Sequence, residues 1–526
     1  MNKKRILSVI LSGALLSSSV CFFGCAKNGS ANLSNLSSSG AKSEAASPAA
    51  PAEPIRLFMG TAGLSFPDGT GPSDNVYINK IAELANVKFS EVICPEYSDF
   101  QTKFNLMFST NDIPDLVHCW FPADVQTQGE AGAFMELSNV IASSSVLSKT
   151  YSASMLNLMK NEKNHIFALR ALAAVDGTSL GVNSDLIDEL NGGTVPSTPD
   201  DWYTLMKKEK AKYPDSIPLS GRTGLRACDM FFKAYGVSVT YGEINWQYKD
   251  GKIIHAFQAP MMKDAIQYYQ KLYQEGLLDK TFVTNTSEDW NDRKDNKKLL
   301  LFVNNINSCI KYPTIPAALP RVEDSRVTDD DAYTARDLLG GHCLAMSAKT
   351  EHKDAVIRVM ETLLSDDVKQ LSSWGIEGTD FKVENNQKVL TETGNKMLPL
   401  RSMFRMMWNY GNEESVTVSK ANILSQIDEG KRDACSKKLD SGLDAAYAQQ
   451  KKAQQNPVNY IQLGTAAQTK YAEAGEAAKT ILIKAIIGEI TMQQYDEQVS
   501  AFLEKYSMIT DEYNAKLPDM LEKLKG

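Results

Sequence analysis

The strongest constraint on how this chain can fold is an alternation that begins at Ile55, where short apolar runs and amphipathic stretches take turns as far as Cys119. Ile55-Arg56-Leu57-Phe58-Met59, Val87 to Ile93 and Asp115-Leu116-Val117-His118-Cys119 read as strands. Between the first two, Ser73 is expected to cap a helix that sets Ile78, Ile81, Ala82 and Ala85 on one face. Between the second and third, Ser98-Asp99-Phe100-Gln101 is a capping box: the Ser98 hydroxyl can accept from the third helical N–H while Gln101 reaches back. Phe100, Phe104, Met107 and Phe108 form the buried stripe of that helix, and Asn111-Asp112-Ile113-Pro114 stops it. Strands joined through helices imply a parallel sheet, and such sheets bind ligands at the carboxyl ends of their strands. The loops after Met59 and Cys119 should therefore face a cleft.

A second α/β region follows. Leu180 to Leu186 is a strand candidate, and Thr198-Pro199-Asp200-Asp201 starts a helix with a cap, a first-turn proline and acidic partners for the helix dipole. Trp246 to Lys249 and Lys252 to Phe257 flank Asp250-Gly251, a pair that favours a hairpin. Met262 to Glu275 reads as a helix stopped by Gly276, and Leu299 to Val303 as a further buried strand. The C-terminal third is mainly helical, with another capping box at Thr491-Met492-Gln493-Gln494.

The N-terminus says where such a body works. Lys3, Lys4 and Arg5 precede an apolar core from Ile6 to Phe23, the order of a secretory signal. The core ends in Phe22-Phe23-Gly24-Cys25, which resembles the bacterial lipobox and implies lipidation at Cys25. Ala26 to Pro54 is too poor in large apolar side chains to bury itself and reads as a tether, with a reach of roughly 30 Å. A net charge of -8 without a basic stripe argues against nucleic acid as a partner. Cys94, Cys119, Cys228, Cys309, Cys343 and Cys435 are scattered, with no C-x-x-C pair, and buried free thiols are the default expectation.

Four segments then occur in a telling order: Ser109 to Asp115, Val195-Pro196-Ser197-Thr198-Pro199-Asp200-Asp201-Trp202, Leu272 to Asp279, and Trp374 to Phe381. Behind the lipobox-like segment they resemble, over nearly the whole mature chain, the family 1 extracellular solute-binding proteins, the maltose-binding-like group. The resemblance implies a two-lobed, periplasmic-binding-protein-like (type II) α/β fold with a hinge and a helical C-terminal region. The expected divisions are a signal peptide over 1–24, a lipidated tether over 25–54, lobe 1 over 55–170 with a return segment at 340–376, lobe 2 over 171–339, and the rest of lobe 2 with the C-terminal helices over 377–526. It implies a monomer on the extracellular face of the membrane, held by its lipid, that captures a carbohydrate by lobe closure and hands it to ABC permease subunits. No catalysis, cofactor or metal is expected. A peptide or amino-sugar ligand on the same fold, and a secreted carbohydrate-active enzyme, stand as alternatives.

A sugar offers hydroxyl edges and apolar C–H faces, so its site needs aromatic planes beside charged or amide groups. Trp120, at the end of the third strand and followed by Phe121, is the first candidate; Trp408 and Tyr410, in Trp408-Asn409-Tyr410-Gly411-Asn412, come next, and Trp246 after them. The polar candidates are Arg222 near Arg226, Arg401 near Arg405, and the loop residues Asp68 and Asp112. Asn304-Asn305-Ile306-Asn307 stands where malto-oligosaccharide binders of the family often carry Gly-Pro-Trp, so that stacking residue is absent. Gly177-Thr178-Ser179-Leu180-Gly181 fits the hydrolase elbow G-x-S-x-G, but Leu180 and Val182 continue as a strand where an elbow needs a helix. The dispersed histidines show no zinc-binding spacing, and Asp329-Asp330-Asp331 lacks the glycine of a calcium loop.

Overall fold

Branched and aromatic runs set the strands, and their pairing repeats one pattern twice. The computed structural model describes residues 52–61, 64, 66–96, 99–173, 177–295, 299–333, 337–384, 387–408 and 413–525. Cys25, the signal segment, Ser98 and Tyr410 lie outside the described residues. The three expected strands form as β1 (Glu53–Phe58), β2 (Val87–Ile93) and β3 (Leu116–Cys119), parallel neighbours with Leu57 opposite both Val92 and Leu116. All four residues of β3 are buried, as a central strand covered on both faces requires. Between them α1 (Val76–Leu84) buries Tyr77, Ile78 and Ile81, and α2 (Phe100–Ser109) buries Phe100, Phe104 and Met107. The cap of α1 is Asn75 and not Ser73: the Asn75 side chain accepts from the N–H groups of Tyr77 and Ile78, where the helical backbone begins.

After β3 come α3 (Pro122–Glu130), α4 (Ala153–Met159) and β4 (Leu169–Leu172), and then β5 (Thr178–Asn183). The strand expected over Leu180 to Leu186 is thus displaced, because the Asn183 side chain accepts from Leu186 N–H and starts a helix over Ser184–Asn191. The remaining strands of the two large sheets are β6 (Leu301–Asn305), β7 (Thr314–Ala317) and β8 (Leu339–Met346). The first sheet has the order β2-β1-β3-β8-β4, with β8 antiparallel to both neighbours. The second has the order β6-β5-β7, with β5 antiparallel to both neighbours, and Leu219 extends it through parallel bridges to Leu301 and to Leu278.

This pairing orients the two sheets toward a common gap. β4 runs parallel to β3, so the chain leaves it at the carboxyl edge of the first sheet. Five residues later β5 begins, and its first residue, Thr178, pairs with Asn305 at the carboxyl end of β6. Six Cα steps span at most roughly 20 Å, so the two carboxyl edges are held near each other. β7 leads back to β8, whose start lies at the same edge of the first sheet, where Arg170 Nε donates to the Gly340 carbonyl at 3.0 Å. A third passage lies alongside, with Leu172 N–H donating to the Met407 carbonyl at 3.1 Å.

Helices cover both sheets. α5 (Met262–Gln274) and α6 (Ser287–Asp295) belong to the second region; α7 (Asp366–Ser373) and α8 (Glu392–Ser402) follow β8. The chain stays beside the first sheet's helices past residue 376: the hairpin Phe381–Glu384/Gln387–Leu390 and α8 pack near α7, and Tyr77 of α1 donates to Asp380 at 3.0 Å. At the C-terminus α9 (Thr465–Ile487) packs on α5, and α10 (Met492–Lys505) and α11 (Ser507–Lys525) pack on α9. The capping box at Thr491 and Gln494 forms, and Asp250-Gly251 turns the hairpin Trp246–Lys249/Lys252–His255 with φ of 49° and 81°. The six described cysteines are free thiols, all buried except the half-buried Cys94.

Candidate functional site

Each facing edge carries its own chemistry. On the first sheet, Gly60 and Thr61 lie just beyond the end of β1, and Trp120 and Phe121 just beyond the end of β3. A Cβ on Gly60 would lie 2.4 Å from the Trp120 ring and 2.6 Å from the Phe100 ring, so only glycine lets β1 pass this close to the indole. Trp120 is half-buried, with its ring centroid 4.3 Å from that of Phe100 and edge-on contacts to His118 and His342. Phe121 is 38% exposed. Thr61 Oγ1 donates to Glu96 Oε2 at 3.1 Å, placing a carboxylate on the same wall. His118 Nε2 and His342 Nδ1 lie 3.0 Å apart. Burial pushes both imidazoles down, His342 to about 4 and His118 well below its ordinary value, where the neighbouring His342 ring lowers it further, so the pair is neutral near pH 7. The first wall is thus aromatic around Trp120, with the neutral histidine pair beside the indole and the Glu96 carboxylate held at Thr61.

The second wall is cationic. Arg222 follows the strand residue Leu219, and its guanidinium lies 5.1 Å from the centroid of the Trp290 ring. Behind it a buried network fixes the loop: Asp279 accepts from Ser220 Oγ at 2.6 Å and Asn285 Nδ2 at 2.7 Å, and forms an ion pair with Arg293. Asn305 closes the turn after β6 by accepting from Ser308 N–H at 2.8 Å, and Asn307 accepts from Ser419 Oγ at 2.7 Å, so amides hold the backbone where an aromatic might have stood. A separate groove of about 690 Å3 lies between α3 with residues 161–163 on one side and residues 461–471 with α11 on the other. Its mouth is tied by the ion pair of Lys516 with Glu162, at 3.1 Å.

The structure brings some of the expected site residues to these edges and removes others. Trp120 and Arg222 stand on opposing carboxyl edges. Trp408 is half-buried beside β4 at the third passage, with Lys369 5.1 Å from its ring centroid and its indole N–H buried without a partner. Asp68 is exposed in the turn Pro67 to Thr70 beyond β1. Trp246 is corrected: at 2% exposure it is core, donating from its indole to Thr510 Oγ1 at 2.8 Å and packing against Tyr471 and Tyr513, so it clamps the hairpin to α9 and α11. Arg401 is also corrected, since it is fully buried in α8 and donates to the carbonyls of Ser373 and Gly394. Asp112 lies at the amino end of β3, ion-paired with Arg56 at 2.7 Å, which lowers its pKa; it belongs to the opposite edge of the sheet. Thr61, Glu96, Tyr241 and His342 were missed. Only Tyr241-Gly242, an aromatic in a turn dipeptide, offered a local signal.

Ser179, the serine of the elbow-like segment, is fully buried inside the continuous strand β5. Asp331 caps a helical turn, accepting from Thr328 N–H and its hydroxyl at 2.8 Å, and pairs with Lys249. Among the described residues no cluster of three or more His, Cys, Asp or Glu could hold a metal ion, and no helix is long and apolar enough to cross a membrane.

A family model described as bacterial extracellular solute-binding protein matches residues 77–376. The lipoprotein LipO of Bacillus subtilis is 26% identical over 228 residues, 42% of this chain and 45% of LipO. The polygalacturonan/rhamnogalacturonan-binding protein YtcQ of the same organism is 20% identical over 447 residues, 81% of this chain and 84% of YtcQ. Among solved structures, an HMO-binding, ABC-transporter-associated solute-binding protein of Bifidobacterium longum infantis superposes with a TM-score of 0.65 at 15% identity, covering 88% of this chain and 98% of that one. The Streptococcus pneumoniae ABC-transporter substrate-binding protein FusA, in complex with kestose, gives 0.62 at 15% identity, covering 89% and 100%. These likenesses show the fold, a type II solute-binding architecture.

Proposed function

Because the chain belongs to the bacterial extracellular solute-binding protein family, we propose that it is the capture subunit of an ABC importer and that it takes an oligosaccharide between its two sheets. The observation that carries this reading is the pair of facing carboxyl edges, joined through a five-residue passage, with Trp120 and Phe121 on one and Arg222 on the other. Aromatic planes suit the C–H faces of a sugar ring, and the opposed polar groups suit its hydroxyls. Several similar proteins carry saccharides in their names or titles, among them YtcQ, the HMO-binding protein and FusA with kestose.

In this reading, the lobes are 52–172 with 339–402, and 177–317 with 413–525. The ligand docks on the aromatic wall, and the second lobe closes over it. Closure needs no chemistry; it is driven by whatever affinity the closed form has in excess of the open one. The closed shape is what the permease subunits meet, with the body held at the extracellular face by lipid on Cys25 and the tether behind it. The protein acts as a monomer that binds without turnover. The test is small-angle scattering and tryptophan fluorescence of the mature chain titrated with oligosaccharide mixtures. The expected outcome is a smaller radius of gyration with a saturable change in emission. Compaction with peptides but with no saccharide would overturn the ligand class, and product release from an oligosaccharide would overturn binding without turnover.

A further inference from the structure

The loop after Leu219 is held in an uncommon backbone shape. Thr223, Gly224 and Ala227 have φ of 45°, 92° and 73°, and the turn packed against them adds Tyr241 at 54° and Gly242 at 80°. Left-handed φ is disfavoured for a β-branched threonine, and three non-glycine cases in one place persist only where the surroundings impose them. The contacts that impose it are visible. Arg222 N–H donates to the Arg226 carbonyl at 3.0 Å, Thr223 N–H to Asn285 at 2.8 Å, and Gly242 N–H to the buried Asp229 carboxyl at 2.7 Å. A Cβ on Gly242 would lie 2.8 Å from the Arg226 backbone nitrogen. A small cavity lined by Thr178, Asp229, Tyr241 and Val303 sets this turn beside the start of β5, at the carboxyl edge.

The product of that shape is a pair of adjacent arginines. The Arg222 guanidinium rests over Trp290 and that of Arg226 over Tyr241, 5.1 and 5.5 Å from the ring centroids. Neither makes an ion pair among the described residues. Arg222 Nη1 donates to Ser287 Oγ at 3.1 Å, and its Nε is buried without a partner. The nearby acid, Asp229, is pushed up to about 7 by burial and so is only partly charged near neutral pH. Burial, and then the charge of Arg226, pull the Arg222 pKa down. Two cations on rigid aromatic supports, without an ion-pair partner among the described residues and held by strained backbone, suit a flat anion that guanidinium forks can grip.

We propose that Arg222 and Arg226 form a carboxylate-binding subsite on the second wall, so that the captured chain is an acidic, uronate-containing saccharide. This rests on the saccharide-capture reading above. The experiment is calorimetric titration of the mature chain with trigalacturonate and trimannuronate, each against its neutral counterpart, galactotriose or mannotriose, and with triglutamate as a carboxylate that is not a sugar. One uronate is expected to bind at least about tenfold more tightly than its neutral counterpart, with an affinity that falls as salt is raised. Arg222→Gln and Arg226→Gln should each weaken it roughly 10- to 100-fold, the scale of a lost charge-assisted hydrogen bond, with little change for the neutral sugar. Arg222→Lys should recover only part. Melting curves accompany each variant, and Arg226→Gln, on an exposed side chain, decides the matter if Arg222→Gln does not fold. Neutral sugars binding as tightly as uronates would overturn the subsite and leave saccharide capture standing. Binding of triglutamate alone, or of none of the probes, would overturn both.

Discussion

The two sheets share one strand order but complete it differently. In the first, β2, β1 and β3 are full strands, and the loops that leave them are braced by side-chain packing: Gly60 against Trp120, Trp120 against Phe100. In the second, the corresponding positions shrink to single bridges at Leu219 and Leu278, and the loop that leaves Leu219 is braced by hydrogen bonds, an ion pair and left-handed backbone. One wall is therefore shaped by apolar contact and presents aromatic rings; the other is shaped by polar contact and presents arginines. An aromatic surface can be positioned by packing alone, whereas a charged loop beside a short bridge needs directional bonds to fix it.

That contrast can be broken at its strongest point first. Asp279→Ala removes the carboxylate that Ser220, Asn285 and Arg293 share and leaves the guanidinium of Arg293 without its counter-charge, and denaturant titration should show a loss of about 3 kcal/mol, the lower end of the cost of stranding one half of a buried pair. Trp120→Ala should cost affinity, roughly 10- to 100-fold for whichever saccharide binds, by calorimetry, because the wall loses the half-exposed indole at the end of β3. The neutral histidine pair gives a pH test. His342 is held at about 4, below its unfolded value of 6.5, so the unfolded chain takes up the proton first and stability falls as pH is lowered from about 6.5 towards 4. Asp229 and Glu209, both raised to about 7 by burial, act in the opposite direction, so the readout is a difference. The unfolding free energy of His342→Gln, by denaturant titration, should fall less steeply than that of the parent over that window, by on the order of 2 kcal/mol. The smallest effect sharpens the contrast: Thr223→Gly should stabilise the protein by about 0.5–1 kcal/mol, because glycine adopts the left-handed backbone freely. A loss of stability there would mean the second wall is not strained.

What could be read before folding was local. β2 falls on the expected residues, the Thr491 and Thr198 caps form, and Asp250-Gly251 makes its hairpin, because each depends on neighbours within a few positions. Leu219 and Leu278 gave no strand signal, since a single bridge carries no period to detect. Trp246 looked available because the helix that buries it lies far along the chain, with Thr510 264 positions away. Asp112 is neutralised by an arginine 56 residues earlier, and Arg401 is drawn inward by carbonyls its own helix and α7 supply. Alternation located Trp120, whereas nothing in the order of residues announced the backbone of Thr223 or the pairing of His118 with His342.

Each sheet takes its antiparallel member from a segment that begins only after the chain has crossed from the other: β5 opens the second, whereas β8 completes the first. A ribosome that has made residues 1–338 has therefore produced β3 and β4 with a strand-wide slot open between them. The first sheet can therefore close only once Leu339 to Met346 has been made, which couples its core to a segment two-thirds of the way along the chain.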